Sequence, residues 1–249
     1  MHKPTERVLR IIEKTLASEK GVRLSEYSKE LEIPKGTLFP ILSELCERGY
    51  LKKNNDVFFV GTELYALSSM LYGSFSPRSF IREELRSLSV KFKETCYFGV
   101  LDGGNVHYLD KADSPNPLRM LTSVGQRLPA YATGVGKALL LNLSESEIRN
   151  LYSEGLKPLT PNTITDIDRL TEELKCARDV GYVTEIEEST EYIRCVGVPV
   201  MKDKKCIGAL SVAIPVFRYN EDLLNMYVSL LKASASRISS MIKKTGTEI

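Results

Sequence analysis

Two short amphipathic segments separated by a tight turn, at residues 25–48, most constrain how this chain can fold. Ser25 is a favourable N-cap for a helix that runs to Leu31. The turn Glu32-Ile33-Pro34-Lys35-Gly36 comes next, and the helix after it ends before Gly49. Two helices joined by such a turn are typical of a helix-turn-helix, whose second helix reads DNA.

The flanking segments extend this pattern into a winged helix. Apolar residues recur at helical spacing over Thr5–Ser18, and two short β stretches, Tyr50–Lys53 and Val57–Val60, are joined by a polar turn. Any small helical domain can show these stripes. The hairpin and its lysines nevertheless favour a DNA-binding domain over residues 1–64, although that segment holds 11 Lys and Arg against 10 Asp and Glu.

Composition excludes several other classes of protein. No apolar run is long enough to span a membrane, and the N-terminus lacks the pattern of a signal peptide, so a cytoplasmic location is expected. The five cysteines form no Cys-x-x-Cys pair, and we expect buried free thiols. With two histidines in the chain, neither a metal site nor a cofactor is expected.

The remainder of the chain predicts an α+β sensor. Residues 65–77 are interpreted as a linker helix that ends in the boundary segment 73–77, and residues 78–249 as the larger domain. Asp102-Gly103-Gly104-Asn105 is a strong hairpin signal. The predicted elements are a helix over Phe80–Lys93, strands over Cys96–Leu101 and Val106–Asp110, a helix from Thr133 or Gly134 to Leu143, a helix from Asp166 to Gly181, strands over Ile193–Met201 and Cys206–Ile214, and a long helix from Asn220. Hairpins mixed with separate helices favour an α+β sheet domain.

Six segments in a fixed order resemble the IclR family of bacterial and archaeal regulators. They are Ile33-Pro34-Lys35, Gly49-Tyr50-Leu51, Ala132-Thr133-Gly134-Val135-Gly136-Lys137-Ala138-Leu139-Leu140, Gly181-Tyr182, Arg194-Cys195-Val196-Gly197-Val198-Pro199-Val200 and Ile207-Gly208-Ala209-Leu210-Ser211-Val212. The resemblance spans nearly the whole chain. It implies an N-terminal winged helix-turn-helix plus a C-terminal GAF-like effector-binding domain. It also implies a homodimer, or a dimer of dimers, that binds palindromic operators with an affinity set by a small molecule.

The recognition helix departs from the family pattern. Where the family usually has Ser, Thr and then Arg, this chain has Gly36, Thr37 and Pro40. Because proline inside a helix costs about 3 kcal/mol outside the first turn, we expect Thr37 to be the N-cap and Pro40 the third helical residue. The stretch also resembles the recognition helix of PadR-type regulators. The candidate DNA contacts are Ser25, Lys35, Gly36, Thr37, Phe39, Lys52 and Lys53, with DNA shape contributing to specificity.

The segment Thr133-Gly134-Val135-Gly136-Lys137 invites a nucleotide-binding interpretation that its neighbours exclude. A P-loop needs Gly where Tyr131 stands and Ser or Thr where Ala138 stands. A dinucleotide fingerprint needs Gly in place of Leu139. Two interpretations remain open: a helix N-terminus that holds a small anion, and a tight helix entry packed on the sheet.

The resemblance also implies an effector pocket. By position it consists of Met120, Gly134, Val135, Glu185, Cys195, Ser211 and Ala213. Strand periodicity independently places Cys195 on one face with Gly197, and Ser211 with Ala213. Some relatives carry Asp and a second Ser where this chain has Glu185 and Ala213, so the effector is specified only as a small organic acid or a sugar- or aromatic-derived metabolite.

Two other functions have sequence requirements of their own. An enzyme would need a base beside Cys195, and His107 lies on a hairpin where a surface position explains it. No Gly-x-Ser-x-Gly or His-Glu-x-x-His motif occurs, so we expect no catalysis. A sensor that contacts a protein partner through its winged helix is the alternative that the near-neutral N-terminal charge favours.

Overall fold

The computed structural model describes residues 3–70, 77–120 and 122–245. Its internal contacts divide the chain into two compact units, Met1–Ser74 and Phe75–Ile249. The boundary segment that the sequence predicts at 73–77 lies mostly outside the described residues. Among the described residues, no helix is both long and apolar enough to cross a membrane.

The first unit is a winged helix built on one small apolar core. Tyr27, Leu38 and Leu42 are buried in it, and the hydroxyl oxygens of Tyr27 and Thr15 are hydrogen-bonded at 2.5 Å. Gly61 passes so close to the chain that a Cβ there would lie 2.0 Å from the Gly49 carbonyl oxygen. The elements are α1 (Lys3–Leu16), β1 (Val22–Arg23), α2 (Leu24–Leu31), α3 (Lys35–Glu47), β2 (Leu51–Asn54), β3 (Val57–Val60) and α4 (Thr62–Met70), with the strands in the order β1-β3-β2.

The prediction for the start of the recognition helix is wrong. α3 is helical from Lys35, its N-cap is Pro34, and the Pro34 carbonyl accepts the amides of Thr37 and Leu38. Pro40 is therefore the sixth helical residue and cannot donate to the exposed Gly36 carbonyl. The buried stripe of α3 holds the helix together despite this lost bond.

The start of the preceding helix also differs from the prediction. Ser25 lies inside α2, and Arg23 is the N-cap residue, whose amide donates to the Glu26 carboxylate. The two-residue strand β1 was not predicted either. It is too short to show an alternating pattern, and it exists because it pairs with β3.

The second unit is a six-stranded antiparallel sheet in the order β6-β5-β4-β9-β8-β7, with helices on both faces. Helix α6 packs on one face and helices α5 and α9 on the other. The elements are α5 (Pro77–Phe92), β4 (Thr95–Asp102), β5 (Asn105–Ala112), β6 (Arg127–Pro129), α6 (Gly134–Leu140), α7 (Glu145–Leu151), α8 (Ile167–Val180), β7 (Val183–Ile186), β8 (Ile193–Lys202), β9 (Lys205–Pro215) and α9 (Leu224–Thr245).

Strand alternation splits the core of this unit in two. Val196, Leu210 and Val212 belong to the apolar cluster under α5 and α9, whereas Cys195 and Ala213 belong to the cluster under α6. Each strand therefore contributes to both faces, as period 2 requires. On β8 and β9 the α6 face carries the shorter side chains, such as Cys195, Ser211 and Ala213.

Most predicted elements of this unit are confirmed within a few residues. The Asp166 cap is confirmed, since its carboxylate accepts the amides of Asp168 and Arg169, and Gly181 ends α8 at φ 71°. Helix α6 ends earlier than predicted, at Leu140. Helix α7 and strands β6 and β7 were missed.

Candidate functional site

The exposed surface of α3 is suited to DNA only near its N-terminus. Lys35, Gly36 and Phe39 are exposed there, and the Phe39 side chain is 60% accessible. The other end carries the exposed acids Glu44 and Glu47. These carboxylates repel phosphate and the N-terminal end of the helix dipole attracts it, so the charges of α3 favour its first turns as the side that faces a duplex.

The wing supplies two lysines that are not equivalent. Lys52 pairs with Phe59 in the β2–β3 ladder and Lys53 pairs with Phe58, so the two side chains leave opposite faces of the hairpin. The Lys53 ammonium lies 4.0 Å from the Asp56 carboxylate and 5.7 Å from the centre of the Phe58 ring. Within the described residues Lys52 forms no ion pair, so its charge is not compensated by a neighbouring carboxylate.

In the second unit, the sheet brings the predicted pocket residues onto one face. Cys195 pairs with Glu185 on β7 and with Ala213 on β9, which places these three side chains in one row. Ser211 lies in the next row and pairs with Tyr97 of β4. The Tyr97 hydroxyl in turn donates to the Met120 carbonyl at 3.4 Å.

Helix α6 covers this face at its first turn. A Cβ at Gly134 would lie 2.5 Å from the Cys195 Cβ, and one at Gly197 would lie 2.2 Å from the Gly134 carbonyl oxygen. Val135 is buried in the same apolar cluster. These glycines are required by the close approach of helix and strand, so the tight-packing interpretation of the Gly134-Val135-Gly136 segment is confirmed.

The amides at the start of α6 already have internal partners. Thr133 is the N-cap and its hydroxyl accepts the Gly136 amide at 3.0 Å, while its carbonyl accepts the Lys137 amide at 2.8 Å. The Gly134 amide interacts with the Cys195 sulfur. A seven-residue helix with these donors engaged offers little to a small anion, so the pocket's polarity rests on side chains.

Glu185 is the one carboxylic acid among the predicted pocket residues. Its side chain has no solvent exposure, and Oε1 accepts the amides of Glu188 at 2.5 Å and Ser189 at 3.2 Å. Oε2 is buried without a hydrogen-bond partner among the described residues. Burial raises the pKa of this carboxyl to about 7, against the lowering effect of the Cys195 thiol and the two amides. Burial therefore favours the protonated form of Glu185 more than water does.

The cysteines differ in exposure. Cys195 is buried, and burial followed by the neighbouring Glu185 carboxyl raises the pKa of its thiol well above the ordinary value. Cys96 is also buried, but Cys46 and Cys206 are partly exposed and Cys176 is exposed, which corrects the expectation that the thiols are buried. Among the described residues no group of His, Cys, Asp and Glu side chains is arranged to hold a metal ion.

Four residues buried near the proposed site were not predicted from the sequence. The rings of Tyr97 and Tyr108 meet edge to face with centres 5.3 Å apart, and burial raises the pKa of both phenols. Both lie at inward positions of β4 and β5, a signal that strand alternation could have given. Lys137 and Glu188 were also missed, and they are joined across 51 residues of sequence.

Two cavities bear on ligand access. One of about 50 Å³ lies at the end of the β7–β8 ladder, and its lining residues Thr184, Ile186 and Arg194 alternate with Glu185 and Cys195, so it opens mainly on the sheet face opposite α6. It is far below the roughly 300 Å³ of a typical metabolite site. Another, of about 940 Å³, lies where β4 and β9 separate beyond the Gly99–Ala209 pair and is lined by Lys202–Lys205 among others.

A winged helix followed by a separate α+β domain that buries Glu185 and Cys195 defines a one-component transcription regulator, and comparison with known proteins identifies which kind. The family model described as "Bacterial transcriptional regulator IclR C-terminal" matches residues 78–240. The chain therefore belongs to the IclR family of transcription regulators.

Relatives match along most of the chain. The regulator KdgR of Escherichia coli K12 is 31% identical over 237 residues, which cover 91% of this chain and 88% of KdgR. XynR of the same organism is 30% identical, with 92% of each chain covered. Among solved structures, an IclR regulator from Alicyclobacillus acidocaldarius superposes with a TM-score of 0.86 at 25% identity, covering 97% of this chain and 99% of that one.

One structural neighbour contains a small molecule. An IclR homologue from Microbacterium hydrocarbonoxydans, solved in complex with 4-hydroxybenzoate, superposes with a TM-score of 0.84 at 23% identity and covers 96% of this chain and 98% of that one. At this identity the likeness shows a shared fold.

Proposed function

We propose that this regulator binds palindromic operators as a homodimer or dimer of dimers, with the first turns of α3 in the major groove. The exposed N-terminal surface of α3 carries this proposal. Phe39 would meet a thymine methyl group, Ser25 and the lysines would bind phosphates, and the exposed Gly36 and half-buried Thr37 would lie against the duplex. No arginine occurs in residues 35–40, so DNA shape contributes to specificity.

Selection from a random duplex library with the full-length protein would give the operator. Binding of that operator is then measured by fluorescence anisotropy at several salt concentrations. Lys35, Lys52 and Lys53 in each of two protomers would neutralise about six phosphates, which gives a slope of about −5 in log K against log salt. A slope near zero, or no selected sequence, would favour the alternative of a sensor that acts through a protein partner.

For the second unit we propose an effector site that comprises Met120, Gly134, Val135, Glu185, Cys195, Ser211 and Ala213. The observation that supports it is the buried Glu185 Oε2, which has no donor among the described residues. A hydroxyl group of the effector would supply that donor. A small hydroxylated acid fits this chemistry, and the 4-hydroxybenzoate held by the Microbacterium homologue carries both groups.

We propose that effector binding by the second unit and operator binding by the first are thermodynamically linked. The effector binds one arrangement of the sensor better and so shifts the population of arrangements with different operator affinity. Since Cys195, Ser211 and Ala213 are buried in a packed core, binding requires the pocket to open. Thermal shift with a panel of hydroxylated acids, 4-hydroxybenzoate first, tests this site. A hit that persists unchanged in Glu185→Gln and Ser211→Ala would place the ligand elsewhere.

We also propose that the protein is not an enzyme. The sequence singled out Cys195 as the candidate nucleophile of the proposed site. Its thiol is buried and has a raised pKa, whereas a nucleophilic cysteine needs an accessible thiol with a lowered pKa.

A further inference from the structure

Helix α6 carries a lysine that is completely buried. Lys137 has no solvent exposure, and its ammonium donates to Glu188 Oε1 at 2.5 Å and to Glu173 Oε1 at 2.7 Å. Burying an ammonium costs several kcal/mol before pairing, and an apolar side chain of similar volume is often as stable. The position of Lys137 therefore calls for an explanation beyond packing.

The partner Glu188 belongs to the loop between β7 and β8 that holds the Glu185 carboxyl. The Glu188 amide donates to Glu185 Oε1, and the Ser189 amide donates to the same oxygen. The loop is also held from outside, since the Thr163 hydroxyl donates to the Glu188 carbonyl at 2.6 Å and the Thr160 hydroxyl to the Glu187 carbonyl at 2.6 Å. One residue thus joins the buried ammonium to the pocket carboxyl.

We propose that Lys137 is a positioning residue for the effector site: through Glu188 it fixes the loop whose amides orient Glu185, and so it sets how readily the pocket opens. This inference rests on the proposed function of the site. Lys137 lies one turn after Gly134, so the same ammonium links the helix that covers the pocket to the loop that closes it. Glu173 extends the link to α8.

Hydrogen–deuterium exchange of the full chain tests this proposal without any added ligand or DNA. In Lys137→Met, the amides of Glu188 and Ser189 should exchange about 10- to 100-fold faster, the factor expected from losing one charge-assisted hydrogen bond. Lys137→Arg should restore protection, because a guanidinium can still bridge the two carboxylates. Glu188→Gln, which is nearly isosteric, should show a smaller increase and serves if Lys137→Met does not fold.

The control is Arg237→Met, which breaks a more exposed pair with Glu84 on the opposite face of the sheet. It should leave the 186–192 peptide unchanged. The proposal is overturned if the loop amides keep their protection in both Lys137→Met and Glu188→Gln. Equal acceleration in strand Lys205–Pro215 would also overturn it, because that result indicates general destabilisation. Since no effector is present, failure of the ligand screen leaves these outcomes readable.

Discussion

Replacing Glu185 by glutamine should make the protein more stable at alkaline pH. The side-chain carbonyl of the introduced glutamine can still accept the Glu188 and Ser189 amides, and its amino group replaces the oxygen that has no partner among the described residues. The wild-type carboxyl has a pKa of about 7 when folded and an ordinary value of 4.5 when unfolded. Between these values the folded state binds more protons than the unfolded state, so wild-type stability falls as pH rises.

The size of the effect follows from the two pKa values. At about 1.4 kcal/mol for each tenfold change in proton affinity, the full cost of ionising Glu185 is about 3 kcal/mol, reached above the folded pKa. The free energy of unfolding of Glu185→Gln should exceed that of wild type by about 3 kcal/mol more at pH 8 than at pH 4, with most of the change above pH 5.

Urea unfolding followed by far-UV circular dichroism gives these free energies, and the chain's lack of tryptophan makes this the practical signal. Glu191→Gln, at an exposed position of the same loop, is the control and should show no such pH dependence. A wild-type-minus-variant difference that is constant between pH 5 and pH 8 would refute the argument that Glu185 is buried without a compensating charge.

Three further outcomes can be measured directly. Gly36→Ala should stabilise the first unit by up to about 1 kcal/mol, because the added Cβ meets open space, yet weaken operator binding if the DNA backbone approaches there; equal operator affinity would remove Gly36 from the interface. Lys52→Ala should reduce the salt slope by about 2 per dimer, and an unchanged slope would mean that Lys52 touches no phosphate. Iodoacetamide at neutral pH should label the exposed Cys176 quickly and Cys195 slowly, as peptide mass spectrometry can show; fast labelling of Cys195 would reopen the case for catalysis.

Local periodicity predicted most of the fold, and it failed where distant contacts decide. The cost of proline suggested that Thr37 is the N-cap of α3, but the packing of Leu38 and Leu42 keeps Pro40 inside a helix that begins at Lys35. Helix α7 was missed although Ser144 and Glu147 form its capping box, a signal that the sequence does contain.

The candidate pocket likewise contains residues that strand periodicity predicted and residues that it could not predict. Strand parity placed Cys195 and Ser211 on an inward face, and the register confirms it. Glu185 came only from family resemblance, because β7 is four residues long and gives no clear pattern. The Lys137–Glu188 pair joins positions 51 residues apart, and no local rule predicts such a contact.

The close packing of α6 on β8 limits which positions of the proposed site can be substituted. A Cβ at Gly134 would collide with the Cys195 Cβ and one at Gly197 with the Gly134 carbonyl oxygen, so neither position admits a side chain. Ser211 and Ala213 on the neighbouring strand carry small side chains on the same face, so there the proposed site differs in side-chain chemistry and not in backbone approach. Engineering a new ligand preference should therefore begin on β9 and leave the glycines untouched.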